Sequence, residues 1–148
     1  MNKLSIVALA LVMGCGILGV DDEVGPLTFE IRDTNEFGGQ PSLGVIVSTQ
    51  RMFDCEQRLN ALLGFGRSAL RVSVYGIATS GQSCQGSSGP AQYRGNLGDL
   101  PNGSFRLEIQ RGVLIDAYTV TVTDTEIAVA TIRSRFTSPA ATQFPRSN

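Results

Sequence analysis

The chain has 148 residues, a net charge of -1, 42% hydrophobic residues, few aromatics and no tryptophan. That composition suits one small globular body and argues against a nucleic-acid binder, which would carry a basic surface. Histidine is absent and Lys3 is the only lysine, which closes off imidazole general bases, Ser-His and Cys-His pairs, histidine zinc sites, Schiff bases and lysine phosphate clamps beyond that residue. Carboxylate catalysis and oxygen-ligated calcium stay open, yet no spacing among the thirteen acidic residues points to either. The expectation is no enzyme, no cofactor and no metal site.

Lys3 leads into an apolar run over residues 4–13, followed by Gly14 and Cys15. One positive charge, a short apolar segment and a small residue before a cysteine are the parts of an export signal. The run falls short of the about 20 residues a stable membrane span needs. Val12-Met13-Gly14-Cys15 resembles the lipobox of bacterial lipoproteins, in which the cysteine is acylated on sulfur and becomes the first residue after cleavage. Met13 departs from the family pattern, where a smaller residue is usual. The resemblance implies a signal peptide over residues 1–14, a lipid anchor at Cys15 and a place in the cell envelope, at the outer membrane or the periplasmic face of the inner membrane. The membrane is then one partner and an envelope protein another. An uncleaved anchor over residues 4–20 and ordinary cleavage after Gly19 are the alternatives, and both also carry the chain out of the cytoplasm.

Residues 15–25, with Asp21, Asp22 and Glu23, read as a polar tether. Leu27, Phe29 and Ile31 then alternate with polar residues as in a strand. Gly38, Gly39 and Pro41 make a loop, and a second apolar run begins at Val45. Residues 52–65 fit a strand through Phe53, Cys55, Leu59, Ala61, Leu63 and Phe65. They also fit a helix capped by Asp54, with Gln57 in the capping box and Gly64 as a stop; strand is favoured. Leu70, Val72 and Val74 alternate cleanly up to Ile77, and residues 79–90, rich in Gly and Ser, form a loop containing Cys84. Pro101-Asn102-Gly103 is a turn. Strands follow through Phe105, Leu107 and Ile109, then Tyr118, Val120 and Val122, then residues 125–132, with turns at Gly112 and at residues 123–126. After Arg135, Pro139, Ala140, Ala141 and Pro145 leave little apolar pattern, so residues 137–148 are expected as a flexible tail.

About seven strands with turns near every ten residues predict a single antiparallel β-sandwich over residues 26–136. Leu100-Pro101-Asn102-Gly103-Ser104-Phe105, continued by Tyr118-Thr119-Val120-Thr121-Val122, resembles the Leu-Pro-x-Gly-x-aromatic hairpin of immunoglobulin-like and transthyretin-like bacterial modules. In those families the hairpin lies near the end of a sandwich and carries no catalytic residue.

With Cys15 acylated, Cys55 and Cys84 are an even pair in an oxidising compartment and are expected to form a disulfide. Closing a loop of that length is worth about 3 to 4 kcal/mol. A redox pair would normally sit closer, as Cys-x-x-Cys, and two sulfurs are too few for a structural metal. Other motifs carry little. Gly64-Phe65-Gly66-Arg67-Ser68-Ala69 has the letters of a dinucleotide loop but precedes a strand, so it reads as a turn. Asp33-Thr34-Asn35-Glu36 opens like a calcium loop, yet Phe37 and Gly44 stand where ligands belong. Arg133 and Arg135, with Arg146, read mainly as surface charges that can meet anionic lipid or a partner's carboxylates. The reading is a non-catalytic envelope module that binds or scaffolds. One rival is an inhibitor or immunity-type protein acting through the loop at residues 79–90; another is a carbohydrate-binding or carboxylate glycosidase module.

Overall fold

The structure, a computed structural model, describes residues 23–34, 42–55, 57–78 and 86–146. Cys15, Cys84, the expected signal peptide, most of the expected tether, and residues 35–41, 56 and 79–85 lie outside the described residues. Within them the chain is all-β, as alternation predicts. The strands are β1 (Leu27–Thr34), β2 (Ser42–Phe53), β3 (Arg58–Phe65), β4 (Leu70–Ala78), β5 (Gly89–Gly98), β6 (Gly103–Arg111), β7 (Leu114–Val122), β8 (Glu126–Arg133), β9 (Thr137–Pro139) and β10 (Gln143–Pro145).

They join one sheet in the order β10-β8-β7-β6-β4-β3-β5-β2-β1-β9. Three neighbour pairs are parallel: β1 with β9, β3 with β5, and β4 with β6. The expected antiparallel sandwich of about seven strands is therefore replaced by a single mixed sheet of ten strands, curled into a half-barrel. The parallel steps are the physical reason. They stitch the two halves of the chain into one ladder, where a sandwich would keep two separate sheets face to face.

Alternation fills the concave side. Leu27, Phe29 and Ile31 of β1, Val72 and Val74 of β4, Leu107 and Ile109 of β6, and Tyr118, Val120 and Val122 of β7 are buried in one cluster. Phe29 and Tyr118 meet edge to face across it, with ring centroids 4.7 Å apart. Residues 52–65 resolve as the end of β2, a turn and β3. Leu59 is buried while Asn60 and Leu62 point outward, so the period of two prevails over the helical alternative. β6 and β7 pair as an antiparallel hairpin, whereas Leu100-Pro101-Asn102 before it links β5 to β6, strands that are not neighbours in the sheet. Gly103 and Gly112 adopt the positive φ values, 149° and 58°, that begin β6 and turn it into β7.

Residues 137–146 are not the expected loose tail. β9 lies against β1 at one edge of the sheet and β10 against β8 at the other, so the short link between them draws the edges together. Ala140 N–H donates to the Phe29 carbonyl at 2.7 Å, and Val129 N–H to the Thr142 carbonyl at 2.8 Å. A buried carboxylate anchors this closure. Asp116 accepts from the backbone N–H groups of Arg135, Phe136 and Thr137 and from the Thr137 hydroxyl, at 2.8 to 2.9 Å. The Tyr118 hydroxyl donates to the Thr137 carbonyl at 2.8 Å. Burial alone would raise the Asp116 pKa, but these hydrogen bonds outweigh it and hold the carboxyl below the usual aspartate value.

Candidate functional site

The sheet has a seam between β3 and β5. Gln92 N–H donates to the Gln57 carbonyl at 3.1 Å, and Arg58 stands level with Gln92 as the single paired position of the two strands. Beyond it the strands part. The sequence of β5 suits such a place, since Gly89, Pro90, Gly95 and Gly98 give it little side-chain pairing to hold a neighbour. At its end Gly98 N–H is satisfied locally, by the Asn96 side-chain oxygen at 2.8 Å.

Tyr93 spans the gap. Its ring packs against the core and its phenol is hydrogen-bonded to the backbone of Leu63 on β3, where a neighbouring strand would otherwise sit. Burial raises the phenol pKa above the ordinary tyrosine value, partly offset by that hydrogen bond. The ring lies back along its own strand over Gly95. A Cβ at position 95 would stand 2.9 Å from Tyr93 Cε1 and 3.0 Å from Oη, so the pose requires glycine.

An open cleft of about 690 Å³ follows the seam, lined by Gln57, Arg58, Leu59, Gln92, Tyr93 and Arg94. Strand alternation sends Leu59 and Tyr93 to its floor and Arg58, Gln92 and Arg94 to its rim. Gln92 is oriented by donating to the Ser48 hydroxyl at 3.2 Å. The rim thus offers planar guanidinium forks and carboxamides, groups that recognise carboxylates, phosphates or peptide carbonyls. Such a set orients a ligand by hydrogen bonds and charge.

The residues singled out in the sequence fall in several places. Cys55 lies in the turn between β2 and β3 that leads to Gln57, and it is bonded, not free. The loop containing Cys84 leaves from Ala78, opposite Arg58, and returns at Gly89, opposite Phe53, so both of its ends border the seam. Gly64 and Phe65 end β3, and residues 66–69 form the hairpin turn to β4, closed by Gly66 N–H donating to the Ala69 carbonyl at 2.9 Å. Asp33, the first residue of the calcium-like stretch, is paired with Arg146 at 3.2 Å. That pairing also separates Arg146 from Arg133 and Arg135, which stand at the other end of the half-barrel.

The two buried carboxylates among the described residues serve the framework. Asp116 ties down the closure, and Glu108 joins β4 to β6 by accepting from Arg71 at 2.6 Å and from Arg106 at 2.8 Å. Burial would raise the Glu108 pKa, but the two arginines pull it below the ordinary glutamate value. The seam residues Arg58, Gln92, Tyr93, Arg94 and Gly95 are not among the sequence candidates. The available signal is a tyrosine and a glycine two apart on one strand face, hidden because residues 79–90 read as loop and no strand is expected between Ile77 and Phe105. No protein family matches the chain, and neither curated proteins nor solved structures give a significant match.

Proposed function

We propose that the protein is an exported, lipid-anchored module of the bacterial cell envelope that binds a partner at the β3–β5 seam. In this reading Cys15 carries the lipid, and Cys55 pairs with Cys84, pinning the loop over residues 79–85 beside the cleft. The observation that carries the proposal is the parting of β3 from β5 beyond their one paired position at Arg58 and Gln92, where an open cleft is rimmed by hydrogen-bonding side chains. Anchoring at a membrane raises the local concentration of such a module, so modest contacts suffice. Glycosidase chemistry is less favoured. A general acid needs a carboxyl whose pKa is raised, and the two most enclosed carboxyls among the described residues, Asp116 and Glu108, are both lowered and engaged.

The inhibitor-type alternative keeps its interest because the loop containing Cys84 starts and ends at the seam. A photoreactive side chain placed at Arg58, and separately at Thr131 on β8, separates binding at the seam from general adhesion. Adducts in the native envelope from position 58 alone support the proposal; equal adducts from both positions, or none from either, contradict it. Shortening residues 79–85 then divides the readings. Loss of the adduct with folding intact favours an inhibitor loop, and its survival favours the cleft. Intact mass before and after reduction tests acylation at Cys15 and the disulfide independently.

A further inference from the structure

The described chain enters the fold at one end of the half-barrel, and that end differs in character from the other. Arg111 donates to the Gly25 carbonyl at 2.6 Å and lies over the Phe136 ring at 4.8 Å. Gln50 N–H donates to the Pro26 carbonyl, and Leu27 N–H to the Phe136 carbonyl, both at 2.9 Å. These bonds gather the entry, the end of β2, the β6–β7 turn and the β8–β9 link onto one surface. It exposes Val113 at 91%, Met52 at 60% and Ile132 at 53%. It also carries Arg51, Arg111, Arg133 and Arg135, against Glu23 and Asp54 among the described residues. Arg133 is held in place by donating to the Ile115 carbonyl at 2.8 Å. The opposite end carries Asp33, Asp99, Asp124 and Glu126, with Arg67 and Arg146.

We infer that the entry end is a membrane-apposed face, with Val113 at its tip and the arginines meeting anionic phospholipid headgroups. Two arguments select this occupant. The chain from Cys15 to Val24 reaches at most about 30 Å even when fully extended, so a lipid at Cys15 keeps this end nearest the bilayer. Basic side chains around exposed apolar ones are also the pattern that suits an anionic interface, where each arginine contributes roughly fivefold to surface affinity. The inference rests on the anchored reading for its geometry, while the face itself can be tested without it. Asp21 and Asp22 of the tether oppose the attraction, so neutralising both to Asn should strengthen the contact.

The absence of tryptophan makes a single introduced tryptophan a clean reporter. The mature protein from its native membrane fraction, carrying Val113→Trp, is reconstituted in vesicles of brominated phosphatidylcholine with and without phosphatidylglycerol. Strong quenching with phosphatidylglycerol that weakens with added salt is expected. It should fall at least tenfold when Arg133 and Arg135 are both changed to Glu, while an Asn102→Trp reporter at the far end stays unquenched. Equal quenching at positions 113 and 102, or quenching indifferent to the arginine reversal, overturns the inference. Intact mass reads the anchor separately. If Cys15 carries no acyl group, the same vesicles are added to the soluble protein, where a blue shift at position 113 sustains the face and no shift removes it.

Discussion

The sheet is interrupted in two places, and the molecule treats them in opposite ways. At the closure between β9 and β10 the gap is sealed by the chain itself, with Asp116, Thr137 and Tyr118 in a buried and fully engaged polar cluster. At the seam between β3 and β5 one paired position and one tyrosine side chain bridge the gap, and the rest stands open as a polar cleft. Buried polar groups that all find partners hold a fold together. Polar groups gathered around an opening are what a ligand can use. The contrast separates framework from candidate site in a protein whose charged residues otherwise look alike.

The closure should be the costlier place to break. Asp116→Ala strands three backbone N–H groups, and should cost about 3 kcal/mol or more by urea denaturation. The acid response follows from the same bonds. Because the folded-state pKa of Asp116 is depressed, its contribution is fully present above the ordinary aspartate value and is lost as pH falls through the folded value. The wild type should therefore lose stability steeply over that acid range, and Asp116→Asn should flatten the dependence. An unchanged acid slope in the Asp116→Asn variant would show that other carboxyls dominate.

At the seam the effects on folding are smaller. Gly95→Ala places a Cβ against the Tyr93 ring, and should cost roughly 1 to 3 kcal/mol while swinging the phenol out into solvent, which relieves the burial that raises its pKa by more than the lost Leu63 bond had lowered it. Its ultraviolet titration should then move back toward the ordinary tyrosine value, whereas an unmoved titration would mean that the ring keeps its place. Tyr93→Phe removes a single hydrogen bond and should cost about 1 kcal/mol, measured by denaturant midpoint with the far-ultraviolet spectrum unchanged. The smallest effect is expected for Arg146→Ala, which loses the partly exposed pair with Asp33 and should cost about 0.5 kcal/mol. A loss as large as that at Asp116 would mean that the β10 edge depends on this pair more than on the closure cluster.

Much of the framework was legible in the residues. Leu27, Phe29 and Ile31, the Leu70 to Val74 alternation, and the hairpin from Phe105 to Val122 each announce a half-buried strand, and the structure places them so. The misses share a cause. β5, β9 and β10 are built largely from Gly, Pro, Gln, Asn, Ser and Thr, a mixture with little strand preference, and they are strands because long-range neighbours supply the pairing. Gly89 to Gly98 is recruited by β2, and Thr137 to Pro139 by β1 and Asp116. The candidate site depends on one of these recruited strands, so it was hidden with it. Glycine at position 95 carries no signal in the sequence because its partner, the Tyr93 ring, meets it only once the chain is folded.

The most direct test of the distinction between sealed closure and open seam is amide hydrogen exchange resolved to single residues. The account predicts slow exchange for Phe136 and Thr137, whose N–H groups bond to the buried Asp116 carboxylate, and fast exchange for Ala61 and Asn96, which flank the cleft beyond the last paired position of β3 and β5. Equal protection at all four, as in a sheet zipped along its whole length, would contradict it.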